Sequence, residues 1–153
     1  MVGPEWVLLA YRLPREPSGP RVTVWRKLRR LGAVQLVDGL VTLPASARTV
    51  EAFGWLADEV VEAGGEAWTW RASGSKAQDR ALRQQLRDSV LNEYATLIAE
   101  AKATSDDRRT VQRLRRTLRE IERRDYVAPK ERDEARRAVK RLLDSSGATE
   151  HAR

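Results

Sequence analysis

Apolar residues recur along this chain with two different periods, and the strand-like period is confined to the first 72 residues. Glu5–Leu13, EWVLLAYRL, is apolar, aromatic and rich in β-formers, and it predicts a first strand. Pro14, Pro17, Ser18, Gly19 and Pro20 predict a stiff loop. Val24, Trp25, Leu28 and Leu31 then fall on one face of a helix that Gly19-Pro20 starts and Gly32 ends. Two short runs, Ala33–Val37 and Leu40–Leu43, flank Asp38-Gly39. That dipeptide suits a type I′ hairpin turn, whose central residues need positive φ. Ser46 or Thr49 can cap a second helix to about Ala63, with Val50, Phe53, Ala57, Val60 and Val61 as its buried stripe. Gly64-Gly65 ends it. Glu66–Arg71 predicts a fourth strand with Trp68 and Trp70 on one face.

The order β-α-β-β-α-β predicts an α+β, ferredoxin-like core of residues 1–72: an antiparallel sheet with two helices on one face. The other face then needs a cover, from the C-terminal helices or from a second subunit. Ala72-Ser73-Gly74-Ser75 is the expected boundary. Residues 73–146 read as an extension of about three helices, and 147–153 as a disordered tail. In the first of these, Lys76–Ala103, the inward side holds Leu82, Leu86, Val90, Tyr94, Leu97 and Ala101. The second, capped by Ser105 or Asp106 and running to about Asp125, has Val111, Leu114, Leu118 and Ile121 at the spacing of a narrow seam. After Tyr126–Pro129 the third runs to about Leu143, with Ala135, Ala138, Val139, Leu142 and Leu143 inward.

Charge adds a partner class to this picture. The net charge is +7, and it is uneven. Residues 1–72 hold 9 Lys/Arg against 8 Asp/Glu, whereas residues 73–153 hold 20 against 14. The helical half is therefore the expected footprint for a polyanion, with DNA the partner in view. Its most cationic stretch supplies Arg108, Arg109, Arg113, Arg115, Arg116, Arg119 and Arg123 as phosphate contacts. Arg26, Lys27, Arg29 and Arg30 on the first helix form a smaller basic surface for the same role. The plainer alternative for the former is a solvated face paired with nearby acids such as Asp106, Asp107, Glu131, Asp133 and Glu134, and for the first helix that its charges merely solubilise.

The segments VWRKLRRLGAV, DGLVTLP and FGWLADEVVEAGGEAWTWRA resemble the N-terminal domain of ChrB-type chromate resistance proteins. The likeness extends through RLRRTLREIERRDYV and covers roughly Glu5 to Leu143. The resemblance implies a cytoplasmic bacterial protein linked to chromate resistance, acting as a chromate-responsive transcriptional regulator. It also implies a second, C-terminal domain in longer members, which a chain ending at Arg153 is expected to lack. The alternative is a protein-interaction module that binds no nucleic acid and serves a separate partner. For a tetrahedral dianion such as chromate, a helix start with an arginine is the natural host. Gly19–Arg21 is the better of two such starts, which makes Arg21 the candidate anion ligand.

Catalysis and membranes fit less well. The sequence has no cysteine, so disulfides and thiol chemistry are excluded. His151 is its single histidine and stands in the tail. No Walker loop, dinucleotide fingerprint or nucleophile elbow is present. No cofactor or metal site is expected, and the chain reads as non-enzymatic. The core also resembles the central domain of PaaX-type repressors and small CRISPR-associated nucleases. Those nucleases place an aspartate near the end of the first strand, where this chain has Ala10-Tyr11-Arg12-Leu13. The start lacks a secretory pattern, and no apolar run suits a membrane span, so a cytoplasmic location is expected. A homodimer would bury the open sheet face. Tryptophans 6, 25, 55, 68 and 70 are expected in core or interface packing.

Overall fold

The computed structural model describes residues 4–104 and 107–150, with the side chains of 148–150 left aside. The elements are β1 (Trp6–Arg12), α1 (Gly19–Leu31), β2 (Val34–Val37), β3 (Leu40–Pro44), α2 (Ala47–Glu62), β4 (Glu66–Ala72), α3 (Lys76–Ala103), α4 (Arg108–Arg123) and α5 (Lys130–Glu150). The expected fold class holds: the sheet is fully antiparallel in the order β2-β3-β1-β4. β1 is central, pairing Leu8 with Thr42 on one side and with Trp70 on the other. The chain divides into two compact units, Met1–Gln85 and Leu86–Arg153.

In the first unit, alternation along the strands sends Val7, Leu9, Val41 and Leu43 to one face, all buried. Val24 and Leu28 of α1 and Phe53, Leu56 and Val60 of α2 are the buried helical residues of this unit. Gly32 closes α1 in the left-handed conformation at φ 76°. Ser46 and Thr49 form a reciprocal capping box at the start of α2.

The structure corrects several sequence expectations here. The stripe of α2 runs through Phe53, Leu56 and Val60, at i, i+3 and i+7, and leaves Val61 exposed. Only Trp6 among the tryptophans is buried. Trp25 is 53% exposed, because Val24 and Leu28 already fill the inward side of α1, and the next residue lies about 100° further round. Trp55 lies on the outer side of α2, where its indole N–H approaches Glu51 Oε1 at 3.4 Å. Trp68 and Trp70 lie on the sheet face opposite the Val7–Leu9 side, more than half exposed, and Val37 joins them. At one end of that face Trp6 is covered by the first turns of α3. Its indole N–H donates to Asp79 Oδ1 at 3.1 Å, and the Arg83 guanidinium stands 5.7 Å from the ring centre. These contacts explain why the first unit continues past the Ala72–Ser75 break.

The second unit is built on the expected seams. Val90, Tyr94, Leu97 and Ala101 of α3 meet Val111, Leu114, Leu118 and Ile121 of α4 and Ala135, Ala138, Val139 and Leu142 of α5 in one cluster. The expected caps Ser105 and Asp106 lie outside the described residues. Asp107 is the cap: its carboxylate accepts from the Thr110 backbone N–H at 3.2 Å and its hydroxyl at 3.0 Å. That hydrogen bonding lowers the pKa of Asp107. α5 continues to Glu150 instead of stopping near Leu143. No proline interrupts it, and Ser145 and Ser146 return their hydroxyls to the carbonyls of Arg141 and Leu143. Residues 151–153 of the expected tail lie outside the described residues.

Candidate anion-binding surfaces

The end of β1 and the start of α1, together with the β2–β3 turn, border an open groove of about 930 Å³. Tyr11, Arg12 and Arg15 line it from the first strand and its loop. Arg21, Trp25 and Arg26 line it from α1, and Asp38-Gly39 from the turn. The turn is seated by the Tyr11 backbone N–H, which donates to the Gly39 carbonyl at 2.8 Å. Arg15, Arg21 and Arg26 have no ion-pair partner among the described residues. Arg12 is engaged by Glu66 at 2.6 Å. The acid in the groove, Asp38, accepts from the Gln35 side-chain amide at 3.2 Å. Burial raises the pKa of the Tyr11 phenol, against the opposing pull of the Arg21 charge, so it stays a neutral hydrogen-bond donor.

The four basic residues expected to act together on α1 are therefore split. Arg26 faces this groove with Arg21. Arg29 stacks over the Trp25 indole, 4.9 Å from its centre. Lys27 and Arg30 line a different groove, beside Asp58, Glu59 and Glu62 of α2, and Lys27 Nζ is paired with Glu59 at 2.6 Å. Sequence reading passed over Tyr11, Arg12 and Arg15. The signal that could have found them is their position at the end of the central strand, next to the hairpin turn.

On α4, residues 108, 109, 113, 115, 116, 119 and 123 are all arginines with exposed side chains. The buried seam of Leu114, Leu118 and Ile121 forces this outward placement. Their partners differ. Arg113 is ion-paired with Glu100 of α3, which raises its pKa. Arg124, at the end of the helix, is paired with Glu93. On the far side, Glu122 is held by Arg136 of α5. Arg115, Arg116 and Arg119 make no ion pair among the described residues. Arg109, Arg116, Arg119 and Arg123 lie close to one line along the helix, and at 1.5 Å per residue that line is about 21 Å long.

The family described as Protein ChrB, N-terminal, matches residues 21–109, more than half of the chain. The chain belongs to that family. Protein ChrB of Cupriavidus metallidurans (strain ATCC 43123 / DSM 2839 / NBRC 102507 / CH34) is 28% identical over 104 residues, which are 67% of this chain and 32% of that protein. The chain thus spans about a third of that relative's length. No solved structure matches. The ChrB family match begins at the Arg21 of the groove and takes in α1 from that residue onward and the hairpin. It ends at Arg109, so of the arginines on α4 only Arg108 and Arg109 fall within the matched region, and those at 113–123 lie beyond it.

No group of three or more His, Cys, Asp or Glu among the described residues is placed to hold a metal ion. No described helix is long and apolar enough to cross a membrane.

Proposed function

We propose that this protein is a chromate-resistance-associated regulator that binds DNA through the outer face of α4. The family membership supports the chromate link. The observation that carries the DNA reading is the set Arg115, Arg116 and Arg119, exposed outside the buried seam and left without ion pairs among the described residues. Planar guanidinium forks in such a row match phosphate oxygens, and each neutralised phosphate releases counterions. The contrast with Arg113 is useful, because Glu100 already occupies that guanidinium.

Fluorescence anisotropy against a duplex from upstream of the protein's own gene and against a random duplex tests this. Binding should weaken linearly in log–log salt titration, and the triple change R115A/R116A/R119A should make the slope shallower by about 2.7, at 0.9 per phosphate. Stability should barely change, because these are exposed positions. Absence of binding to either duplex at about 20 mM salt would end the DNA reading.

The open sheet face favours a second reading, in which the protein is an interaction module. Its occupant would be a second copy of the chain. Trp68, Trp70 and Val37 expose apolar surface there, and the rim pair Arg12–Glu66 adds no net charge to that face. Sedimentation equilibrium should then show a dimer that W68S/W70S converts to monomer. A wild-type chain that stays monomeric at about 100 μM, near the weak end of specific association, defeats this reading.

A further inference from the structure

We infer that the groove between the end of β1, the start of α1 and the β2–β3 turn is a nucleotide site, taking a ligand that joins a flat aromatic ring to phosphate. Three features of the groove point the same way. The first is charge. Arg15, Arg21 and Arg26 line the groove without ion-pair partners among the described residues and outnumber its one acid, Asp38, which accepts a hydrogen bond from Gln35. A phosphate entering here meets guanidinium forks and the Tyr11 hydroxyl as donors.

The second feature is the indole of Trp25. A merely solubilising helix face has no use for a large ring among its arginines, because exposed apolar surface is unfavourable. Trp25 is 53% exposed and lines the groove, while Arg29, which is not part of the lining, stacks over the ring and steadies it. A base has a flat face to lay against such a ring. The third is size. At about 930 Å³ the groove is in the range of small-molecule sites, and a lone tetrahedral oxyanion would leave the indole and most of the space unused. A nucleotide engages the ring and the arginines together.

The same chemistry is offered by a free mononucleotide and by a nucleotide unit of a single strand. Isothermal titration of the full chain with AMP, adenosine, inorganic phosphate and a short 5′-phosphorylated thymidine strand separates them. AMP should saturate, and adenosine or phosphate alone should bind about tenfold more weakly, since each offers half of the contacts. Trp25→Ala and Arg21→Gln should each weaken AMP binding about tenfold. Both side chains are exposed, so a thermal melt should show the fold intact, and Arg26→Gln gives a further variant if either fails to fold. A strand that binds more tightly than AMP assigns the site to single-stranded nucleic acid; equal or weaker binding assigns it to free nucleotide. R115A/R116A/R119A should leave AMP affinity unchanged, so this site and the DNA reading of α4 stand or fall separately. No saturation by AMP or the strand up to about 5 mM overturns the inference, as do phosphate binding as tight as AMP or a Trp25→Ala variant that binds AMP normally.

Discussion

Asp125→Ala should lower the stability of the helical unit by about 2–4 kcal/mol, through the loss of three hydrogen bonds to one charged carboxylate. Asp125 sits in the turn between α4 and α5, and its side chain is fully buried. One carboxylate oxygen accepts from the backbone N–H groups of Val127 at 3.0 Å and Ala128 at 2.8 Å. The other accepts from the Tyr94 hydroxyl of α3 at 2.8 Å. One carboxylate thus joins all three helices of the unit. It also holds a turn in which Ala128 has a positive φ of 45°. Burial raises the pKa of Tyr94 strongly, and its hydrogen bond to Asp125 adds to the rise, so the phenol remains a donor throughout the physiological range. The loss should show as a fall in Tm, read by far-UV circular dichroism. Tyr94→Phe removes one of these bonds and keeps the ring, so its penalty should be smaller, about 1–2 kcal/mol. An Asp125→Ala chain that melts like the parent would show that the turn holds its shape without the carboxylate.

This hub also marks where sequence reading stops. The helical seams were legible because Val111, Leu114, Leu118 and Ile121 repeat at a spacing that a helix alone imposes. Nothing local ties Asp125 to Tyr94, 31 residues away. The strands and the hairpin were legible from alternation and Asp38-Gly39, but the turn is not the expected type I′: only Gly39 of the two central residues has a positive φ, and the β2–β3 register shifts between Gln35 and Val37. The basic surfaces were legible only as lists. Arg26 and Lys27 are neighbours in sequence, but the turn of the helix sends one to the open groove and the other to Glu59. Arg113 and Arg116 look equivalent on a helical projection, and only the position of Glu100 separates a paired cation from an open one. Trp25 misleads because size and hydrophobicity predict burial, whereas α1 has already met its need for inward residues with Val24 and Leu28.

Gly39→Ala should destabilise the first unit by about 2–5 kcal/mol, through a conformational term and a steric term. Gly39 has φ +75°, a conformation that disfavours any residue with a Cβ, at about 1–2 kcal/mol. A Cβ at this position would also stand 2.6 Å from the Tyr11 carbonyl oxygen. That atom belongs to the end of the central strand, where the Ala10–Leu40 pairing leads on to the bond between Tyr11 and Gly39. It cannot move as a side chain would, so β1 or the turn must shift, at about 1–3 kcal/mol more. Gly64→Ala separates the two terms. Its φ is +86°, but the nearest atom to its Cβ is Pro14 Cγ at 3.9 Å, an ordinary contact. It should show the conformational term alone, about 1–2 kcal/mol. Urea unfolding of both variants measures the difference. Because Tyr11 and Gly39 both line the groove, the shift forced by Gly39→Ala should also weaken AMP binding there, while Gly64→Ala should not. Equal losses of stability in the two variants would mean that the strand yields freely and that the turn does not fix the groove wall.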